Sequence, residues 1–223
     1  MQKFETAAAP ITAVLTIPAG RIRVVAADQS YATVEVKAAD TAKSRDVKAA
    51  EQTTVSHTDG VVRIEAPTQN QYFGPTGSVD VTVHLPAGSR VEARTAGAEF
   101  RTAGRLGDVV FEGAHGVAHV DEAAALRLTV HAADVSVGRL AGDSEIRVSS
   151  GDIHVAEALH GTLTLRTESG AISVGAAPGT DATLDAGTSY GRVHNSLTNS
   201  KGSGAELAIH ATTAYGDITA SSL

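Results

Sequence analysis

The sequence of 223 residues contains no cysteine and no tryptophan, and only 4% of its residues are aromatic. Without cysteine the chain cannot form a disulfide, ligate an iron–sulfur cluster or use a thiolate nucleophile. Its apolar runs are all shorter than the roughly 18 residues of a membrane span, so we predict no membrane partner. The formal net charge is −7. Because phosphate contacts need a basic face, we also predict no nucleic-acid partner.

The amino-terminal segment MQKFETAAAPITAV lacks the apolar core of a signal peptide and a cysteine for lipid attachment. We therefore expect a cytoplasmic protein. With 42% hydrophobic and 19% charged residues, the composition is that of a folded chain. The length suffices for one elongated domain or for two small fused ones.

The first part of the chain is dominated by alternation of apolar and polar residues, the period of a β-strand. Two near-identical turn signals, Ile17–Gly20 and Leu85–Gly88, each precede an alternating strand. Proline presets φ and glycine permits positive φ, so both signals predict tight reversals. We predict an antiparallel β-sandwich-like part over residues 1–93. Within it, residues 38–51 fit either a loop or a short helix, and residues 67–77 form a long loop.

From residue 94 onward, a repeat of strand, small corner and strand replaces this pattern. The corners end at Ala133, Gly151, Gly170, Gly191 and Gly216, with separations of 18, 19, 21 and 25 residues. A period near 20 residues with glycine at the bend predicts a β-solenoid, whose stacked coils bury an inner face together. The predicted inward positions are Val130, Val135, Val137, Val148, Ile153, Val155, Leu163, Leu165, Ile172, Val174, Leu184, Val193, Leu207, Ile209 and Ile218.

The fold predicted for the whole chain is therefore all-β. The antiparallel β-sandwich-like part (1–93) is fused, without a flexible linker, to a β-solenoid or β-helix of roughly 20-residue coils (94–223). The terminal coil needs a cap against edge pairing, and Ser221–Leu223 is too short to be an obvious one. A second protomer is a candidate cap, which predicts a homo-oligomer through the terminal coil.

Two segments, residues 188–197 (TSYGRVHNSL) and 211–219 (ATTAYGDIT), resemble the strand-repeat signatures of the DUF4097 family. Ile17–Val24 and Gly113–Gly116 are similar to members of this family from high-GC Gram-positive bacteria. The resemblance extends over essentially the whole chain. It implies the fold of the bacterial β-strand-repeat proteins, which are also labelled adhesins. It supplies no activity and no catalytic residues.

Three of the nine histidines occupy matching outward positions on the second strands of their coils: His119, His154 and His194. Ser136 and Ser173 occupy the intervening coils. Coils stack about 4.8 Å apart, which predicts about 10 Å from His119 to His154 and about 10 Å more to His194. Imidazole is the usual acid/base group near neutral pH, so the three are candidate catalytic residues, or else ordinary surface residues. They are too far apart to share a metal ion, and we predict no metal or other cofactor.

Five further residues are candidates for ligand binding. Tyr190 and Tyr215 precede equivalent corner glycines and predict an aromatic stack, or a ligand wall, along one edge of the solenoid. Tyr72 and Phe73 lie on the long N-terminal loop and are candidates for a lid over a groove. Asp152 lies two residues before one of the candidate histidines.

Three functions fit these features. The first is a module that binds a small molecule or a protein partner on the solenoid face or in a groove between the two parts. The second is a cofactor-free acid/base enzyme for dehydration, conjugate addition or cyclisation of a polyketide-like metabolite. The third is a self-assembling structural protein, against which the inserted loop 199–204 argues because it interrupts the regular edge. The sequence contains neither a Gly-x-Ser-x-Gly motif nor a phosphate-binding loop.

Overall fold

A computed structural model describes residues 10–67, 76–200 and 202–223, and the backbone of residues 2–5. Within these residues, 17 strands form one sheet, accompanied by one α-helix and a short 3-10 helix. The strands are β1 (Gln2–Glu5), β2 (Thr12–Thr16), β3 (Ala19–Ala27), β4 (Tyr31–Ala38), β5 (Thr54–Thr58), β6 (Val61–Glu65), β7 (Val79–Pro86), β8 (Arg90–Ala103), β9 (Arg105–Leu140), β10 (Ser144–Ser150), β11 (Ile153–Ala158), β12 (Gly161–Ser169), β13 (Ile172–Ala176), β14 (Ala182–Tyr190), β15 (Val193–Ser196), β16 (Leu207–Tyr215) and β17 (Ile218–Ser222). The helices are α1 (Ser44–Gln52) and the 3-10 helix Gly202–Gly204.

The repeating unit is a coil of two strands that meet at a sharp corner. The first strands of successive coils pair in parallel in the order β6, β2, β8, β9, β10, β12, β16 and β14, and we call this stack the front ladder. The second strands form the back ladder, in the order β7, β3, β8, β9, β11, β13, β17 and β15. The long strands β8 and β9 turn through corners and contribute to both ladders, which joins them into one sheet.

The order of the coils departs from the order of the chain at both ends of the stack. The coil made by β2 and β3 has the coil of β6 and β7 on one side and the coil formed by β8 on the other. At the other end, the coil of β16 and β17 lies between the coil of β12 and β13 and the coil of β14 and β15. The outermost coil is therefore β14–β15, and not the last coil of the sequence.

The antiparallel sandwich expected over residues 1–93 is not confirmed. Strands β2, β3, β6, β7 and β8 pair in parallel, as the rest of the stack does. Among the described residues, antiparallel register is confined to the pairs β1–β4, β4–β7 and β5–β6. Ile17–Gly20 forms the corner between β2 and β3, and Leu85–Gly88 links β7 to β8. A Pro-Gly reversal serves equally as a hairpin turn or a coil corner, which is why the direction was predicted wrongly.

The amino-terminal end of the stack is covered. Strand β5 adds antiparallel to β6, β4 adds antiparallel to β7, and α1 connects the two across the end of the core. Ala49 of α1 is buried in the hydrophobic core. The buried carboxylate of Asp46 accepts the backbone N–H of Ser78 at 3.0 Å, which ties the helix to the chain entering β7. Of the two structures that fit residues 38–51, the chain adopts the short helix.

The core runs between the two ladders through the length of the stack. The inward positions predicted from alternation are buried except at Leu184, which is half-buried, and Val193, which is 46% exposed. Both exceptions lie in the outermost coil, which has no further coil to cover it. Phe100 and Phe111 are fully buried and stack at 4.5 Å between ring centroids. They bridge the two ladders inside a continuous core.

The coils approach most closely at the corners, where glycines lie above one another. A Cβ at Gly170 would overlap the carbonyl oxygen of Gly151, and one at Gly216 would overlap the carbonyl oxygen of Gly170. The φ angles of Gly151, Gly170 and Gly216 are 138°, 152° and 150°, which residues with a side chain rarely adopt. Glycine is therefore required here for two reasons, backbone conformation and coil-to-coil distance.

Substituting Gly170→Ala will destabilise the fold. The positive φ alone costs about 1–3 kcal/mol, and overlap with the carbonyl of Gly151 adds to that cost. We expect the free energy of unfolding, measured by urea denaturation, to fall by at least this amount.

The matched control is Gly187→Ala, because a Cβ at Gly187 meets nothing within 4 Å. This variant should be unchanged or stabilised by about 0.4–1 kcal/mol through reduced entropy of the unfolded chain. Equal stability of the two variants would contradict the corner requirement.

Candidate functional site

The three candidate catalytic histidines lie in one outward-facing column of the back ladder. In order along the stack, the column contains His119, Ser136, His154, Ser173, Thr219 and His194. His119 is half-buried, and His154 and His194 are exposed. The prediction that these residues share a column is thus matched by the strand register.

The spacing within this column differs from the expected one. His119 and His154 are two rungs apart, about 10 Å. His154 and His194 are three rungs apart, about 14 Å, because the inserted coil of β16 and β17 contributes Thr219 between them. An acid or base must lie within about 2.6–3.2 Å of the proton it transfers. The three imidazoles therefore do not converge on one reacting atom.

Asp152 holds a corner of the solenoid. Its Oδ1 accepts the backbone N–H of Ala171 in the next coil at 2.7 Å. Its own backbone N–H donates to Oδ1 of Asp134 in the preceding coil at 3.0 Å. Asp217 repeats the arrangement in the outer coils and accepts the backbone N–H of Arg192 at 2.9 Å. These carboxylates satisfy N–H groups that the corners leave without a ladder partner.

Tyr190 and Tyr215 form the stack that their positions predict. Their ring centroids are 5.0 Å apart and the rings are inclined by 4°. Both are largely exposed, Tyr190 at 68% and Tyr215 at 59%. Since Tyr190 belongs to the outermost coil, its outer ring face has no neighbouring coil. Tyr72 and Phe73 lie outside the described residues, so the lid remains a prediction.

The front ladder carries a groove that sequence reasoning did not identify. Its volume is about 510 Å³, and its lining comes from five successive coils, between Arg90 and Thr164. Five coils span about 19 Å along the stack. Val110 and Ala125, both half-buried, give the groove an apolar strip. Charged side chains border this strip.

Two ion pairs form this border. Arg90 donates to Oδ2 of Asp108 at 3.0 Å, and Nε of Arg127 lies 3.7 Å from a carboxylate oxygen of Glu145. The Arg127 side chain is 74% exposed. Both pairs link neighbouring coils at the surface, where such pairs contribute little to stability. One feature of the sequence could have indicated the groove. Val110 is an apolar residue at an outward position between the charged residues Asp108 and Glu112.

The front ladder carries a second groove and a histidine–carboxylate pair. The second groove has a volume of about 480 Å³, and its lining includes Pro18, Thr129 and His131. Nearer the outermost coil, Nδ1 of His210 lies 3.3 Å from Oδ2 of Asp185. Both side chains of this pair are exposed.

Within the part of the chain that the structure describes, no three histidine, aspartate or glutamate side chains are grouped so that they can hold a metal ion. The helices in that part are all too short or too polar to cross a bilayer.

The stacked parallel coils define a β-solenoid-like, all-β protein. The chain belongs to the Toastrack DUF4097 family, whose model matches residues 12–222. Two solved structures are similar in fold over the whole of this chain. One is a candidate cell adhesion protein from Clostridium sporogenes, at 10% identity and a TM-score of 0.33, with 97% of that chain covered. The other is a candidate adhesin from Bacteroides fragilis, at 9% identity and a TM-score of 0.38, with 95% covered. No curated protein matches the sequence.

The carboxylate of Asp217 anchors the outermost coil in a pH-dependent way. Its pKa is lowered from 3.8 by the backbone N–H of Arg192 and then by the Arg192 guanidinium, which donates at 3.0 Å. A pKa depressed in the folded state stabilises the fold above the unfolded pKa, and the stabilisation is lost as pH falls through the folded pKa. Asp217→Asn should therefore be less stable than the parent near neutrality, with the difference vanishing in acid.

The measurement is the free energy of unfolding in urea from about pH 6 to about pH 2. A difference between Asp217→Asn and the parent that stays constant over this range would contradict the assignment.

Proposed function

We propose that the chain is a binding scaffold whose front-ladder groove holds a short extended segment of a protein partner. The observation that carries the proposal is the shape of the groove, which crosses five successive coils between Arg90 and Thr164. A length of about 19 Å accommodates about six residues of extended chain, at about 3.3 Å per residue.

The chemistry of the groove suits a polypeptide. The strip formed by Val110 and Ala125 offers apolar contact for one row of alternating side chains. Arg127 is the most exposed charge of the border, and its nearest carboxylate is as far as 3.7 Å away. It is available to a carboxylate of the bound segment, to which arginine donates paired hydrogen bonds. The segment therefore has apolar residues on one face and an acidic residue near Arg127.

The back ladder gives less support to the alternative of acid/base catalysis. His154 and His194 are separated by two intervening rungs, Ser173 and Thr219. A bound substrate could therefore contact only one of these two histidines at a time, and the side chains around that histidine are exposed to solvent. The acid/base enzyme therefore remains the second candidate.

A random peptide library displayed on phage and selected on the immobilised full-length chain tests the proposal. We expect an enriched consensus with alternating apolar residues and one acidic residue. A synthetic peptide with that consensus should bind the Arg127→Ala variant at least about tenfold more weakly than it binds the parent, a difference of about 1.4 kcal/mol. Arg101→Ala, an exposed arginine of the back ladder, is the matched control and should bind as the parent does.

Two results would overturn the proposal. One is a selection without a consensus, and the other is a consensus peptide that Arg127→Ala binds as tightly as the parent does. Conversion of a metabolite from an extract of the source organism by the purified protein, abolished in His154→Ala, would favour the enzyme instead.

A further inference from the structure

The outermost coil has one hydrogen-bonded neighbour where every interior coil has two. Among the described residues, β14 is in register with β16 and β15 with β17, and neither has a ladder partner on its other side. Each strand therefore presents a row of backbone N–H and C=O groups along an open edge. Such an edge is a template for pairing with another chain.

The core is also uncovered at this end. Val193 is 46% exposed, whereas Ile218, its register partner in the next coil, is fully buried. Leu184 is half-buried, whereas its partner Ile209 is fully buried. Leu197 packs against the core beside them without covering Val193. An additional chain at this edge would remove the exposed apolar surface from water.

The charges of this edge do not oppose the approach of an identical edge. Residues 182–196 contain no lysine, glutamate or proline, the residues that usually protect an edge from pairing. Their two formal charges, Asp185 and Arg192, have opposite signs and cancel, although the whole chain carries −7. Two copies of this edge therefore approach without net repulsion.

At the opposite end of the stack, in the part of the chain that the structure describes, β5 and β1 also have one strand partner each, β6 and β4, but the core is covered there. There α1 closes the core, and its outer side bears the exposed charged residues Arg45, Lys48 and Glu51. Head-to-tail stacking would place exposed Val193 against these charges. The apolar surface of the open end is matched by a second copy of the same end, and an interface between like ends closes after two copies.

From these observations we infer that two copies of the chain associate through the open edges of β14 and β15 about a two-fold axis. The dimer is a continuous stack with α1 at both of its outer ends. This interface is separate from the groove on the front ladder. The dimer therefore does not depend on whether the groove binds the proposed partner.

Sedimentation equilibrium of the full chain at increasing concentration tests the inference. We expect the parent to reach a mass twice that of the 22.7 kDa chain and to grow no further. Val193→Lys places a charge in the interface and should sediment as a monomer. Val117→Lys is the matched control, because Val117 is 45% exposed in the middle of the stack. It should remain a dimer, and circular dichroism should show that both variants keep their strand content.

Cross-linking provides a second readout that does not depend on a destabilising substitution. The chain contains no cysteine, so Ser189→Cys introduces one thiol on exposed β14. A bis-maleimide should link this variant into covalent dimers at low micromolar concentration. Ser150→Cys, exposed on β10 in the middle of the stack, should not be linked.

Three outcomes would overturn the inference. The parent could sediment as a monomer at every concentration, or as species that keep growing beyond the dimer. Alternatively, Ser150→Cys could cross-link as readily as Ser189→Cys, which would place the contact elsewhere.

Discussion

The close approach of one coil to the next is the constraint on which the structure depends. Parallel strands about 4.8 Å apart require backbone to pass over backbone at each corner. Gly151, Gly170 and Gly216 meet this requirement because no side chain fits above the carbonyl of the coil beneath. The carboxylate of Asp152 then accepts the N–H that the neighbouring corner exposes. With the corners fixed, both ladders keep the same register from coil to coil, and one continuous core lies between them.

This regularity decides what the surface can do. Equivalent positions of successive coils form columns, so functional groups are spread along lines and do not gather around a point. His119 and His154 illustrate this, since they share a column and are still about 10 Å apart. A groove that follows such lines, like the one past Val110 and Arg127, matches an extended ligand better than a small reacting centre. The proposed binding of a peptide segment rests on this geometry.

The two ends of the stack are built differently although each contains a coil inserted out of chain order. At the amino-terminal end, antiparallel strands and α1 cover the core, and Ala49 is buried in it. At the other end, the insertion of β16–β17 leaves β14–β15 outermost, with Val193 exposed. Apolar surface is therefore exposed at one end of the core and not at the other, and association at the exposed end would remove it from water.

The sequence alone determined the all-β class, the glycine corners and the interior-coil core, because period-two alternation and a regular repeat are local properties. Alternation predicts that Ile153 and Leu165 face inward, and both are buried. Tertiary structure alone decided strand direction before residue 93 and the order of the coils. Alternation is the same in parallel and antiparallel strands, and neighbours along the chain need not be neighbours in the stack. For that reason the distance from His154 to His194, the exposure of Val193 and the groove across five coils became visible only once the non-local strand partners were known.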